Sequence, residues 1–276
     1  MRRHRPWFGR ARATSAPAAA RAPWRWAVAG VALGLALVLV LYAPARWLGD
    51  GLARVTAGRL QLADAQGTLW RGSAWLLLTG GRGSQDAAAL PSRVHWRLRL
   101  SGLALAAQIR ADCCTRGAQG LTLLARPRWG GLRVALADGQ ILLPASILSG
   151  LGTPLNTLAP RGQLALATQG LSVEWSAHRL ALHGRADFTA RHVASRLSTL
   201  EPLGSYRMTL IGGDAPSLQL STLEGVLQLS GTGQWVGARL RFTGEAMAAP
   251  GMQVQLANLL NLLGRRRGNG AVLSFG

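Results

Sequence analysis

Lysine is absent from all 276 residues, and each of the 31 basic side chains is an arginine. A P-loop phosphate contact, a Schiff-base nucleophile and a Ser–Lys dyad are thereby excluded, because each needs the lysine amine. Cysteine is limited to one adjacent pair, Cys113 and Cys114. Two cysteines are too few for a disulfide scaffold, and without a second pair they complete no zinc site. The 11 acidic residues stand as isolated singles, and no G-x-S-x-G elbow occurs, so no hydrolytic centre assembles. The chain reads as a non-enzyme that needs no cofactor. With 49% hydrophobic residues and 35 glycines, it is neither disordered nor collagen-like.

What is present in excess is positive charge, +20 overall, and its distribution decides its meaning. Seven arginines (Arg2, Arg3, Arg5, Arg10, Arg12, Arg21, Arg25) precede residue 26 with no acid among them. A charge-free run follows from Trp26 to Ala45, flanked by Arg25 and Arg46. At the helical rise per residue this run spans ~30 Å, the thickness of a bilayer's hydrocarbon core. Trp24 and Trp26 stand at one end, Tyr42 and Trp47 at the other, where amphipathic rings favour the headgroup layer.

The reading is a transmembrane helix over residues 26–45, a cytoplasmic arginine-rich leader over 1–25, and an exported domain over 46–276. The positive-inside rule sets that orientation. In a bacterium the anchor sits in the inner membrane and the domain in the periplasm. A cleavable signal sequence is the rival, because Ala43-Pro44-Ala45 supplies small residues at a suitable spacing. The apolar run exceeds the usual length of such signals and favours a retained anchor. The remaining 24 arginines are spread among all 11 acids, with a dense cluster only at Arg265-Arg266-Arg267. Nucleic-acid binding is disfavoured, since such proteins concentrate their cations on one helix or patch.

The exported part alternates apolar and polar residues with period two, as a half-buried strand demands. Val94–Leu100 shows it first, followed by Leu132–Leu136, Leu164–Leu166, Leu171–Trp175 and Leu180–Leu182. Tyr206–Leu210, Leu218–Leu220, Val226–Leu229 and Leu240–Phe242 repeat it, with glycines between the runs. Roughly a dozen short antiparallel strands follow from this pattern. Helix is expected only at Pro144–Gly150, Met252–Leu263 and a turn at Ser195–Leu200. The fold class is therefore mainly β: an N-terminal transmembrane helix, then an antiparallel, curled multi-stranded domain with one or two short helices. A closed sandwich or barrel and an open, lipid-holding trough are both compatible with the composition. The six tryptophans after Trp47 are expected to fill the core.

Several stretches in fixed order resemble a known family. They are Arg46-Trp47-Leu48, the run Gly67-Thr68-Leu69-Trp70-Arg71-Gly72-Ser73-Ala74, and Pro160–Leu166. Leu203–Arg207, Thr222–Trp235 and Asn258–Arg266 complete the set. Together they resemble protein N of the bacterial type II secretion system, from the anchor to about Gly270. The resemblance implies a single-pass inner-membrane accessory of the machine that moves folded exoproteins across the outer membrane. It implies no catalysis, and as partners the platform proteins C, L and M. The stretch from Gly67 to Gly72 is also similar to long β-groove proteins that handle envelope lipids, so an envelope lipid-binding protein is the alternative.

Three features remain as candidate sites. Cys113 and Cys114 can form a vicinal disulfide in an oxidising periplasm, with a strained and hence more reducible ring. Glu174, His178, His183 and His192 are the nearest approach to a ligand cluster, but their strand parity does not converge on a metal. Arg265, Arg266 and Arg267 follow the last expected helix, where cations suit a helix C-terminus. They are also the candidate docking residues for an acidic partner.

Overall fold

The structure is a computed structural model that describes residues 24–115, 120–176, 179–237 and 239–276. The arginine leader up to residue 23 and His178 lie outside the described residues. The chain divides into two compact units, Met1–Leu41 and Tyr42–Gly276.

In the first unit, helix α1 runs from Trp24 to Leu41, and none of its side chains is buried. It is long and apolar enough to cross a membrane. The sequence placed this helix at 26–45; it starts two residues earlier and stops four residues sooner. The early stop has a local cause. Proline disfavours helical backbone in the residue before it, and here that residue is Ala43. Ala43 and Ala45 are instead built into the second unit. The Ala45 N–H donates to the Gly67 carbonyl at 3.2 Å, and the Leu69 N–H donates to the Ala43 carbonyl at 2.7 Å.

The second unit opens with helix α2 (Arg46–Val55), which the sequence reading missed. Strands β1 (Leu60–Gly67), β2 (Arg71–Thr79), β3 (Ala87–Ala89), β4 (Val94–Ser101) and β5 (Ala104–Ala111) follow. Then come β6 (Leu121–Arg128), β7 (Gly131–Leu136), β8 (Gly139–Pro144), a 3-10 segment (Ala145–Leu151) and α3 (Leu155–Leu158). Two sixteen-residue strands, β9 (Arg161–Ser176) and β10 (Arg179–Ala194), lie at the centre. The chain continues through β11 (Gly204–Ile211), β12 (Ser217–Gly225), β13 (Leu227–Val236) and β14 (Arg239–Ala248). It ends with α4 (Ala257–Leu263), β15 (Arg265–Arg267) and β16 (Gly270–Phe275).

Among the described residues all sixteen strands form one antiparallel sheet in the order β1-β2-β4-β5-β6-β7-β9-β10-β11-β12-β13-β14-β16-β15, with β3 on β2 and β8 on β9. The mainly-β class expected from the sequence is what the structure shows. The sheet does not close: β1 and β15 are its two ends. It does curl. The 3-10 segment follows β8, which pairs with β9, yet its Gly150 packs so tightly on the Leu78 carbonyl and Ala88 that a Cβ there would clash. Asn156 of α3 adds a 3.0 Å hydrogen bond to Asp86. One short connector thus touches β2 and β9, which are well separated in the sheet order, and the strands between them must bend round it.

The alternating pattern puts one apolar face on the inside of this curve, and three plugs cover parts of it. Helix α2 covers Ala74 and Trp96 with Leu48; the 3-10 segment seats Ile147 among Leu90, Val94, Ala111 and Cys114. Helix α4 buries Leu259 and Leu260, with Leu256 before it, against Tyr206, Leu227 and Phe242. Other helices differ from expectation. The Met252–Leu263 pattern yields helix only from Ala257, and Ser195–Leu200 forms turns. Gly170 and Gly184, expected at hairpin or bulge positions, sit inside β9 and β10 with positive φ at facing bulges, and β9 joins the two short strands expected at Leu164–Leu166 and Leu171–Trp175. The tryptophans also depart from expectation. Trp96 is buried, whereas Trp129 and Trp175 are exposed.

Two buried or half-buried polar groups make measurable predictions. The Tyr206 hydroxyl donates to the Leu227 carbonyl at 3.0 Å, and burial pushes its pKa well above the ordinary value. Tyr206→Phe should cost about 1–3 kcal/mol in thermal or denaturant unfolding, the range for an orphaned buried acceptor. Asp187 accepts from Arg185 at 2.7 and 2.9 Å and from Thr209 at 2.6 Å. The Arg185 hydrogen bond leads in holding its carboxyl below the ordinary value. A lowered folded pKa adds stability above the unfolded pKa and loses it as pH falls through the folded one. The stability advantage of the native chain over Asp187→Asn is therefore expected to be constant from neutrality to about pH 4 and to shrink below it, by melting curves against pH.

Candidate functional site

The Arg265–Arg267 cluster is not a helix end. Helix α4 stops at Leu263, and a Cβ on Gly264 would run into the Val272 carbonyl, so the chain turns into a strand there. The three arginines form β15, in register with β16 as Arg265↔Val272, Arg266↔Ala271 and Arg267↔Gly270. A two-residue turn, Gly268-Asn269, joins them, with Gly268 at a φ of 56°. All three are exposed. As the last strand in the sheet order, β15 has a backbone edge with no further strand on it among the described residues. A short, charged edge strand guards against edge-to-edge aggregation. The same edge is chemically able to take an added strand that carries acidic side chains.

A second cluster was hidden from sequence reading, which saw the other arginines as dispersed. Pairing brings three of them together on the polar face: Arg71 of β2 lies opposite Arg97 of β4, and His95 lies opposite Arg110 of β5. With Gln108 and Asp112 they line a cleft of about 280 Å³. Like charges directly opposite each other are destabilising in a sheet unless solvent or an anion intervenes. Arg97 and Arg99 at period two were the local signal; the partner strands were not.

The cysteine pair lies in the turn after β5. Cys113 and Cys114 are joined by a disulfide, and Cys114 is buried in the cluster around Ile147. The Leu142 N–H donates to the Cys114 carbonyl at 2.8 Å, and the Cys113 N–H donates to Ser92 Oγ at 3.1 Å. This turn thus ties the end of β5 to β8.

Of the possible ligand cluster, Glu174 is engaged by Arg128 at 3.0 Å. His183 faces Ser172 across the β9–β10 ladder, and His192 occupies a bulge with a φ of 49°. Among the described residues no three such side chains converge to hold a metal.

The stretches quoted for the resemblance turn out to be packing devices. In the run from Gly67 to Ala74, Gly67 takes a positive φ of 89° at the β1–β2 turn, and Gly72 lies flat beneath the Trp96 ring. The Trp96 indole N–H donates to the Leu69 carbonyl at 3.1 Å. In Leu203–Arg207, Gly204 meets Gly225 in a contact too close for side chains, and Ser205 links the His192 N–H to Glu224. The Ser230–Gln234 segment supplies Gly231 and Gly233, on which the Phe242 ring rests.

These features describe a protein with one apolar N-terminal helix and an open, curled antiparallel sheet whose distinctive residues serve the fold. Residues 58–273 match the family described as type II secretion system (T2SS), protein N. The chain belongs to that family and is a type II secretion component. Comparison with curated proteins and with solved structures gave no match.

Proposed function

We propose that this chain is an inner-membrane-anchored accessory of the type II secretion system that acts through periplasmic protein contacts and catalyses nothing. The observation that carries the reading is the family match over residues 58–273. Helix α1 supplies the single anchor, with the arginine leader in the cytoplasm and residues 46–276 in the periplasm. The partners are the platform proteins C, L and M, and the β15 edge with Arg265, Arg266 and Arg267 is a docking site for an acidic, extended segment of one of them. The Cys113–Cys114 pair is oxidised in that compartment and acts as a loop clamp.

The test is affinity capture of the full chain from membranes with C, L and M probed individually. The wild-type chain should retain at least one of them. Arg265→Glu with Arg266→Glu and Arg267→Glu should lower that recovery about tenfold or more, as expected when a charged contact worth ~1.4 kcal/mol or more is reversed. Its melting temperature should stay near wild type, because all three side chains are exposed. Unchanged capture by the triple variant would remove β15 from the proposal.

One observation favours the lipid-binding alternative. Leu123, Val134, Val173 and Leu182 lie on the apolar face but belong to none of the three core clusters. Lipid that is extractable by organic solvent from the purified protein at a fixed ratio would support it.

A further inference from the structure

Six of the exposed apolar residues of the sheet gather at one place. The β4–β5 and β6–β7 turns and the paired ends of β9 and β10 lie side by side at one end of the sheet, as the pairs Ser101↔Ala104, Arg128↔Gly131 and Ser176↔Arg179 show. At that end stand Leu100, Leu103, Trp129, Leu132, Trp175 and Leu180, from 40% (Leu132) to 98% (Trp129) exposed. Three of them form one cross-strand row, Leu132–Trp175–Leu180. Soluble surfaces rarely gather such side chains, and a contiguous apolar patch marks an interaction site.

The chemistry beside this patch narrows the partner. Arg99 and Arg126 flank the same turns on the polar face; both are exposed, and neither forms an ion pair among the described residues. Tryptophan and leucine tips backed by arginine are what the headgroup layer of an anionic membrane takes up: rings and aliphatic chains enter the interface, and guanidinium groups meet phosphate.

Chain connectivity points the same way. The chain joins the sheet at Ala43, two residues after Leu41, and Ala43 bonds to the β1–β2 turn. That turn is at the same end, since the Leu98 N–H donates to the Trp70 carbonyl and Arg71 lies opposite Arg97. The hydrophobic segment is therefore covalently tethered at the end that carries the tips.

We propose that this end of the sheet is a second membrane contact, in which the β4–β5 and β6–β7 tips, with the Leu132–Trp175–Leu180 row, insert into the interface of an anionic phospholipid bilayer. This rests on α1 being the anchor, and the experiment separates the two. The full chain is reconstituted in phosphatidylcholine bilayers with and without phosphatidylglycerol. Flotation with lipid in alkaline carbonate reads the anchor; a chain that stays behind overturns both readings. Leu103 is replaced by the fluorescent amino acid dansylalanine, and Asn269, at the opposite end of the sheet, is replaced likewise in a control chain.

Emission from position 103 is expected to be blue-shifted, quenched by brominated acyl chains, and more so with phosphatidylglycerol. Emission from position 269 should stay water-like. Arg99→Gln with Arg126→Gln should abolish the dependence on phosphatidylglycerol. A chain that floats but gives the same water-like emission at 103 and 269 overturns the tip contact alone. A shift at 103 that appears only when the platform proteins are added also overturns it and assigns the patch to a protein.

Discussion

Gly72→Val is expected to destabilise the β-domain by about 3 kcal/mol or more, near the upper end for an overpacked site. A Cβ at this position would lie 2.5 Å from both the Gln66 carbonyl oxygen and Cζ2 of Trp96. Neither can retreat freely. The carbonyl belongs to the β1–β2 ladder, and the indole is buried with its N–H held by the Leu69 carbonyl. Trp96→Ala should do comparable damage from the other side, about 3–5 kcal/mol for the lost ring. Because the two residues touch, Gly72→Ala should cost less in the Trp96→Ala background than alone. Denaturant unfolding of the four chains measures that coupling, and additive costs would mean that the ring does not rest on Gly72.

Leu260→Ala should cost about 2–5 kcal/mol, because the side chain is fully enclosed. Leu256, Leu259 and Leu260 are the largest fully buried side chains in the described structure. For a domain of this size the loss corresponds to a fall in melting temperature of about 4–20 °C. Leu260→Asp should prevent the α4 end from folding at all, since it buries a charge with no partner. The two sites lie in separate core clusters near opposite ends of an open sheet, and open sheets unfold in parts. Hydrogen exchange should therefore show Trp96→Ala opening β1 to β5 and Leu260→Ala opening β13 to β16. Equal acceleration everywhere in both variants would mean one cooperative core instead.

Much of this architecture was legible because period two is a strong local signal. Val94–Leu100, Tyr206–Leu210 and Leu240–Phe242 all lie in strands on that basis. What escaped was non-local. β1 and β2 carry long apolar or irregular stretches, such as Trp75–Leu78, whose period is masked. Helix α2 is a short amphipathic plug that makes sense only with Ala74 and Trp96 beneath it. Arg265–Arg267 looked like a helix terminus because the pairing partner, Gly270–Phe275, lies beyond a two-residue turn. The exposure of Trp129 and Trp175 was likewise unreadable, since composition counts aromatic residues without saying which face is covered. Family membership was legible in the order of the glycine-bearing stretches, and the structure gives the reason: they are places where backbone or ring must approach closely.

The secretion role is tested most directly by deleting the gene in its host and comparing secreted and periplasmic proteins, with complementation by the full chain. Exoproteins should accumulate in the periplasm on deletion and return to the medium on complementation. Secretion that is unchanged by deletion, with altered outer-membrane lipid composition, would contradict the secretion role and favour the lipid-binding alternative.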